Sequence, residues 1–320
     1  MKFSFSKLPA IIAVLLLSSA LLFAGPSGLD AGEYSFTGQM NDLIGVLLTR
    51  SDADSVHLLS RVYYATEQWD AAIKTGERAV SMRPDNSNFH MWLGRAYGQK
   101  AANVNPLFAA GLARKARNEF ERAVQLDPSN VQAHADLSEY YAEAPSFMGG
   151  GTDKARSQAE QVQNLDPATA NWIRAIAAQK DKRYADAEND FKLAIASSQD
   201  PAEQWLNLAS FYRQCGRLDD MEHAIQSALA QPNKTAIAYY DAANELFQAG
   251  RNLPGATQYV KKYLASGALV EDAPGFRAHY LLGQIYAKSG DRAQATAEYQ
   301  ASLSLASGFG PARKALDQLH

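Results

Sequence analysis

The feature that most constrains this 320-residue chain is a pattern that returns about every 34 residues between Ala53 and Leu305. Its clearest copy reads Leu93-Gly94, Tyr97, then Ala116, Phe120 and Ala123, closed by Leu126-Asp127-Pro128. Other copies keep Leu137-Ser138 with Tyr141, Leu208-Ala209 with Tyr212, and Leu282-Gly283 with Tyr286. A period of this length belongs to stacked helix pairs. One pair cannot bury its own apolar face, so pairs in series share a continuous core. The expected fold is therefore all-α: a right-handed α-α superhelix of about seven helix-turn-helix repeats with capping helices.

Each recurring position has a mechanical reason. The Gly, Ala or Ser after the first leucine sits where the two helices of a unit approach most closely. The alanine that opens the second helix does the same from the other side. Tyr97, Phe120 and Tyr299 fill the wedge between helices, at spacings that keep side chains on one face. Proline cannot extend the second helix, so Asp127-Pro128 and Asp166-Pro167 set the turn to the next unit. The register places units at 53–86, 87–130, 131–167, 168–201, 202–235, 236–269 and 276–309. Residues 25–52 are read as an N-terminal segment with a capping helix carrying Met40, Leu43, Ile44, Leu47 and Leu48, and 310–320 as a C-terminal cap.

Residues 1–24 combine Lys2 and Lys7 with the apolar run Ala10 to Ala24, interrupted by small residues at Ser18 and Ala20. That is the layout of a signal peptide, shorter than a comfortable span of about 20 apolar residues. The chain is expected to be exported, and periplasmic in a host with two membranes. It would touch a membrane only through this segment, were it left uncleaved. A formal net charge of −3 gives no basic excess for nucleic acid. The single cysteine, Cys215, cannot close an internal disulfide and is expected to be a small buried thiol.

The second and third units carry insertions between their helices. In the first, Asn105-Pro106 reads as a helix start, ahead of Leu107 and Phe108. The second contains Phe147 and Met148 followed by Gly149-Gly150-Gly151. Corresponding loops of successive units emerge on one edge, so Leu107, Phe108, Phe147 and Met148 form a candidate edge patch. The glycine run lacks the GxxxxGK[ST] spacing of a phosphate loop and is read as a flexible turn.

No catalytic constellation is found. The six histidines show no metal-ligand spacing, and HExxH, paired CxxC and GxSxG are absent. His90 and His134 begin the first helices of successive units and are read as solvated or capping residues. Asp219-Asp220 and Glu271-Asp272 are read as turn or helix-start carboxylates. No enzyme activity, metal or cofactor is expected.

Over 53–309 the chain resembles the tetratricopeptide repeat (TPR) family, most specifically in units two, three and seven. The resemblance implies a concave groove, lined by the first helix of each unit, that takes a peptide or helix of a partner. Carried onto this sequence, the groove positions are His57, Arg61 and Tyr64, then Asn88, Arg95 and Gln99, and Gln132, Asp136 and Glu139. Trp172, Arg213, Tyr240, Asn244, Tyr280 and Gln284 continue the set. The lysine–asparagine–arginine trio with which one TPR subclass clamps a terminal carboxylate is missing from consecutive units. The implied function is a scaffold or assembly adaptor for another exported or envelope protein. The alternatives are a periplasmic ligand-binding accessory protein of a transporter, which calls for a deep pocket, and an enzyme with a closed polar site.

Overall fold

The computed structural model describes residues 40–319 apart from Asn233, and all side chains among them except those of Pro106 and Leu107. The expected leader at 1–24 and the Leu107 side chain lie outside the described residues. Within them the chain forms sixteen α-helices and no strand. These are α1 (Met40–Leu48), α2 (Ala53–Ala65), α3 (Trp69–Met82), α4 (Ser87–Asn103), α5 (Pro106–Leu126) and α6 (Val131–Glu143). They continue with α7 (Thr152–Val162), α8 (Pro167–Lys180), α9 (Tyr184–Ser197), α10 (Pro201–Gln214) and α11 (Leu218–Ala230). The last are α12 (Ile237–Ala249), α13 (Leu253–Ala265), α14 (Gly275–Lys288), α15 (Arg292–Leu305) and α16 (Gly310–Asp317). Helices α2 to α15 pack as seven antiparallel pairs, so the chain is the helix-pair solenoid that its period implies.

Local chemistry sets the helix ends. Asp52, Asn86, Asn130, Asp166, Asn252 and Asp291 each accept a backbone amide of the first turn that follows, which satisfies a donor the helix itself cannot. Between the two helices of a pair the backbone passes through a left-handed residue: Glu67, Lys182, Gly216, Gly250 and Gly290 in units one, four, five, six and seven. A side chain there costs about 1 kcal/mol relative to glycine. Lys182 is exposed. Lys182→Gly should therefore raise stability by about 1 kcal/mol, visible as a higher urea midpoint with an unchanged slope.

Close approach explains the small residues. A Cβ on Gly94 would lie 2.7 Å from the Phe120 ring, and one on Gly283 would lie 2.5 Å from Tyr299. Repeat one uses Ser60 at this place, with its hydroxyl donated to the Ala72 carbonyl. His90 and His134 are buried, not solvated. Each spans a unit: His90 binds Glu119 and the Pro84 carbonyl, and His134 binds Gln158 and the Pro128 carbonyl. Cys215 caps α10 and is half-buried.

The curvature follows from which helices meet. First helices touch first helices along the stack (α2 with α4, α4 with α6, α6 with α8, α10 with α12, α12 with α14), so they line the inside of the superhelix. By the seventh unit the curve has brought the end of the chain back to its beginning. Met40, Leu43 and Leu47 of α1 share one apolar cluster with Leu59 and Val62 of α2, Phe276 of α14, and Phe309 and Ala312 at the C-terminal cap. The Arg277 guanidinium donates twice to the Ala65 carbonyl, at 3.0 and 2.9 Å, and Ser307 bonds to Asn41. The two caps thus cover each other, and the solenoid closes into a ring.

Candidate functional site

Closure turns the expected open groove into a narrow lumen in which polar groups are held by burial. Arg95 is 7% exposed; its Nε and Nη2 donate to Asp136 at 2.5 and 3.1 Å, and its guanidinium lies 4.6 Å from the Trp92 ring centre. Arg213 of unit five makes the equivalent bond to Glu245 of unit six. Arg95, Gln132, Asp136, Glu139 and Trp172 are brought together, with Glu203, around one cavity of ≈ 50 Å³. Trp172 itself is buried.

The remaining groove positions fall into three groups. His57 is buried and stacked on Phe89, its ring centre 4.3 Å away; burial, then Arg61 and Arg83, lower its pKa to about 3, so it is neutral. Tyr64 packs edge-on to Trp69 and Trp92, and burial raises its pKa to about 12. At the ring's seam Tyr280 packs against Phe309 and accepts from Gln284. Tyr240 faces Tyr263, while Arg61, Gln99 and Asn244 are half-buried on the inner face. Asn88 is exposed at the rim, bonded to Asn130.

The carboxyls of the lumen hold their protons tightly. Burial, then Asp136, pushes Glu139 up to about 8; burial, then Asp272 and Glu245, pushes Asp241 up to about 8. Such a group releases its proton near pH 4 in the unfolded chain and near 8 in the folded one. It therefore favours folding at low pH and loses that contribution as pH rises through 8. The melting temperature should fall between pH 6.5 and 8.5, a window in which His57 is already neutral. Glu139→Gln and Asp241→Asn together should flatten the slope, measured by thermal circular dichroism.

Sequence reasoning missed the contact made by one acidic segment. Glu271 and Asp272 do lie in a turn, as read, but the partner of Glu271 across the fold was not foreseen. The linker between α13 and α14 reaches α2 on the inner face, where Glu271 accepts from Arg61 Nε at 2.8 Å and again from Nη2, 210 residues away. No periodic signal could have revealed a pair so distant in the chain. At the edge, Arg117 of α5 and Tyr140 of α6 donate to the Met148 carbonyl at 3.1 and 2.9 Å. Phe108 lies nine residues before Arg117, roughly 14 Å along α5. Phe108 and Phe147 are 70% and 82% exposed, so these two aromatic groups stand in solvent.

Comparison with known proteins specifies the repeat: residues 57–101 and 276–309 each match a family model of the tetratricopeptide repeat. Tetratricopeptide repeat protein 37 of Xenopus laevis is 24% identical over 275 residues, covering 84% of this chain but only 16% of that protein. Yeast Tom70 superposes with a TM-score of 0.54 at 13% identity, covering 88% of this chain and 62% of that one. A TPR protein of Thermus thermophilus gives 0.46 at 24% identity over 61% of this chain and 100% of that one. Two segments of the chain thus match the tetratricopeptide repeat, and its fold is the helix-pair solenoid that such repeats build.

Proposed function

We propose that the chain is an exported scaffold or assembly adaptor that binds a peptide or helix of another exported or envelope protein on its inner face. The observation that carries this reading is the lumen itself. Arg95, Glu139 and Trp172 line one cavity there, and Arg61, Tyr64 and Arg95 meet around Trp92, where a purely structural core would be apolar. Export rests on the leader pattern at 1–24. The transporter-accessory alternative calls for a deep pocket, and the cavity beside Arg95, at ≈ 50 Å³, is far below the roughly 300–1,000 Å³ of small-molecule pockets. An edge contact through Phe108 and Phe147 is a second reading, favoured by their exposure.

The test is a cross-linked pull-down from envelope extract with residues 25–320 as bait. Gln132→Arg with Asn244→Arg fills the inner face, and Phe108→Ser with Phe147→Ser removes the edge aromatics. A partner lost only with the inner-face variant supports the groove reading. A partner lost only with the edge variant moves the site to the insertions. No specific partner with any bait contradicts the adaptor function.

A further inference from the structure

The inner face is already occupied by the chain's own acidic segment, and this occupant describes the chemistry of what would replace it. Residues 269–273, in the linker between α13 and α14, form a strap that reaches α2 on the inner face through Glu271 and Arg61. The strap is tethered at its base by Tyr263, which is fully buried; its hydroxyl donates to the Ala273 carbonyl at 2.6 Å and accepts from the Val270 amide at 3.0 Å. Leu269 and Val270 rest on the main apolar core. From this base Glu271 reaches Arg61 in a two-point contact. Burial, then Glu271, pushes Asp272 up to about 7, against the opposing field of Arg95, Arg277 and Arg61, three arginines from units two, seven and one.

The fit is incomplete. Arg95 is nine-tenths buried, yet its Nη1 has no hydrogen-bond partner, and Asp272 Oδ1 is buried without one as well. A buried donor and a buried acceptor both left unmade weaken the strap as a ligand. A segment free to adjust its backbone could meet Arg61 and Arg95 together. Charge decides which segment. Exchange of the strap's carboxylates for a partner's leaves the lumen in balance, whereas a neutral or basic segment would leave the half-buried Arg61 without its counter-ion, Arg95 keeping Asp136 in either case.

We infer that the ring is self-inhibited by residues 269–273, and that the partner bound on the inner face presents an acidic, extended peptide that displaces this strap from Arg61 and meets the unpartnered Nη1 of Arg95. The inference rests on the inner-face reading above and adds to it the partner's charge and the gate that it must open.

The test uses the strap sequence as the probe. A fluorescein-labelled peptide of residues 267–274, with its terminal charges blocked, is titrated by anisotropy against the full-length chain and against Glu271→Gln/Asp272→Asn. The variant should bind the acidic peptide at least tenfold more tightly than the wild type does. The same peptide with glutamine and asparagine in place of its two acids should bind the variant at least tenfold more weakly, and a further Arg61→Ala should remove the gain. Equal binding of the acidic and neutral peptides, or no gain over wild type, would overturn the inference. Circular dichroism establishes that the variant is folded; if it is not, Glu271→Gln alone carries the same comparison. A null peptide result beside an inner-face-dependent partner in the pull-down would sink the strap and leave the adaptor reading standing.

Discussion

Phe309→Ala should destabilise the chain by about 3–5 kcal/mol, as expected for truncating a fully buried aromatic side chain. Phe309 is 1% exposed and sits between Phe276 and Tyr280, with ring centres 5.0 and 5.3 Å away. It is also the residue through which the last repeat and the C-terminal cap meet α1 and α2. The loss should therefore be local as well as large. In an open repeat array each unit depends only on its neighbours. In a closed ring, damage at residue 309 must reach residues 40–65. Hydrogen exchange should show protection lost in α1, α2, α14 and α16 together, with α6 to α11 little changed. Loss confined to α14–α16 would mean that the seam contributes nothing.

Asp136→Ala should cost about 3–5 kcal/mol, because it leaves the Arg95 charge buried without its counter-ion. The pair joins α4 to α6 on the inner face, Arg95 being 7% and Asp136 11% exposed at the side chain. The double variant Arg95→Met/Asp136→Leu should recover most of that loss, since replacing both members with apolar groups removes the desolvation cost as well as the attraction. Chemical denaturation of Arg95→Met, Asp136→Leu and the double variant closes the cycle. Recovery of stability without recovery of partner binding would separate the pair's structural role from its role in recognition. A single-variant loss below about 1 kcal/mol would show that water reaches Arg95 and that the lumen is wider than the structure has it.

The fold was legible because its rules are local and repeated. Gly94 against Phe120 and Gly283 against Tyr299 are contacts within one unit, and the sequence writes them about every 34 residues as a small residue facing a large one. The inward position of Arg61, Arg95, Asp136 and Tyr240 was legible for the same reason, since each sits at a fixed register on a first helix. Closure was not. A small rotation per repeat is a matter of packing angles, and seven such rotations add up to a contact that no single unit encodes. The seam joins residues 41 and 307, and 65 and 277, through ordinary side chains whose spacing follows no period. The turn at Glu271 and Asp272 was legible, but the Arg61 partner of Glu271 was not, for a related reason. Two carboxylates in a linker look alike whether they meet water or an arginine from the far end of the chain.

Ring closure is the feature on which the lumen, the strap and the site all depend, and a distance across the seam tests it most directly. Spin labels at Leu48→Cys on α1 and Lys314→Cys on α16, in a Cys215→Ala background, occupy exposed positions on the two caps. Each lies seven residues, roughly 10 Å of helix, from the Asn41–Ser307 contact, so pulsed dipolar spectroscopy should give one narrow distance below about 30 Å. Phe309→Ala in the same background should broaden and lengthen it. A broad, long distribution in the unaltered chain would mean an open solenoid in solution, with its inner face free and no strap to displace.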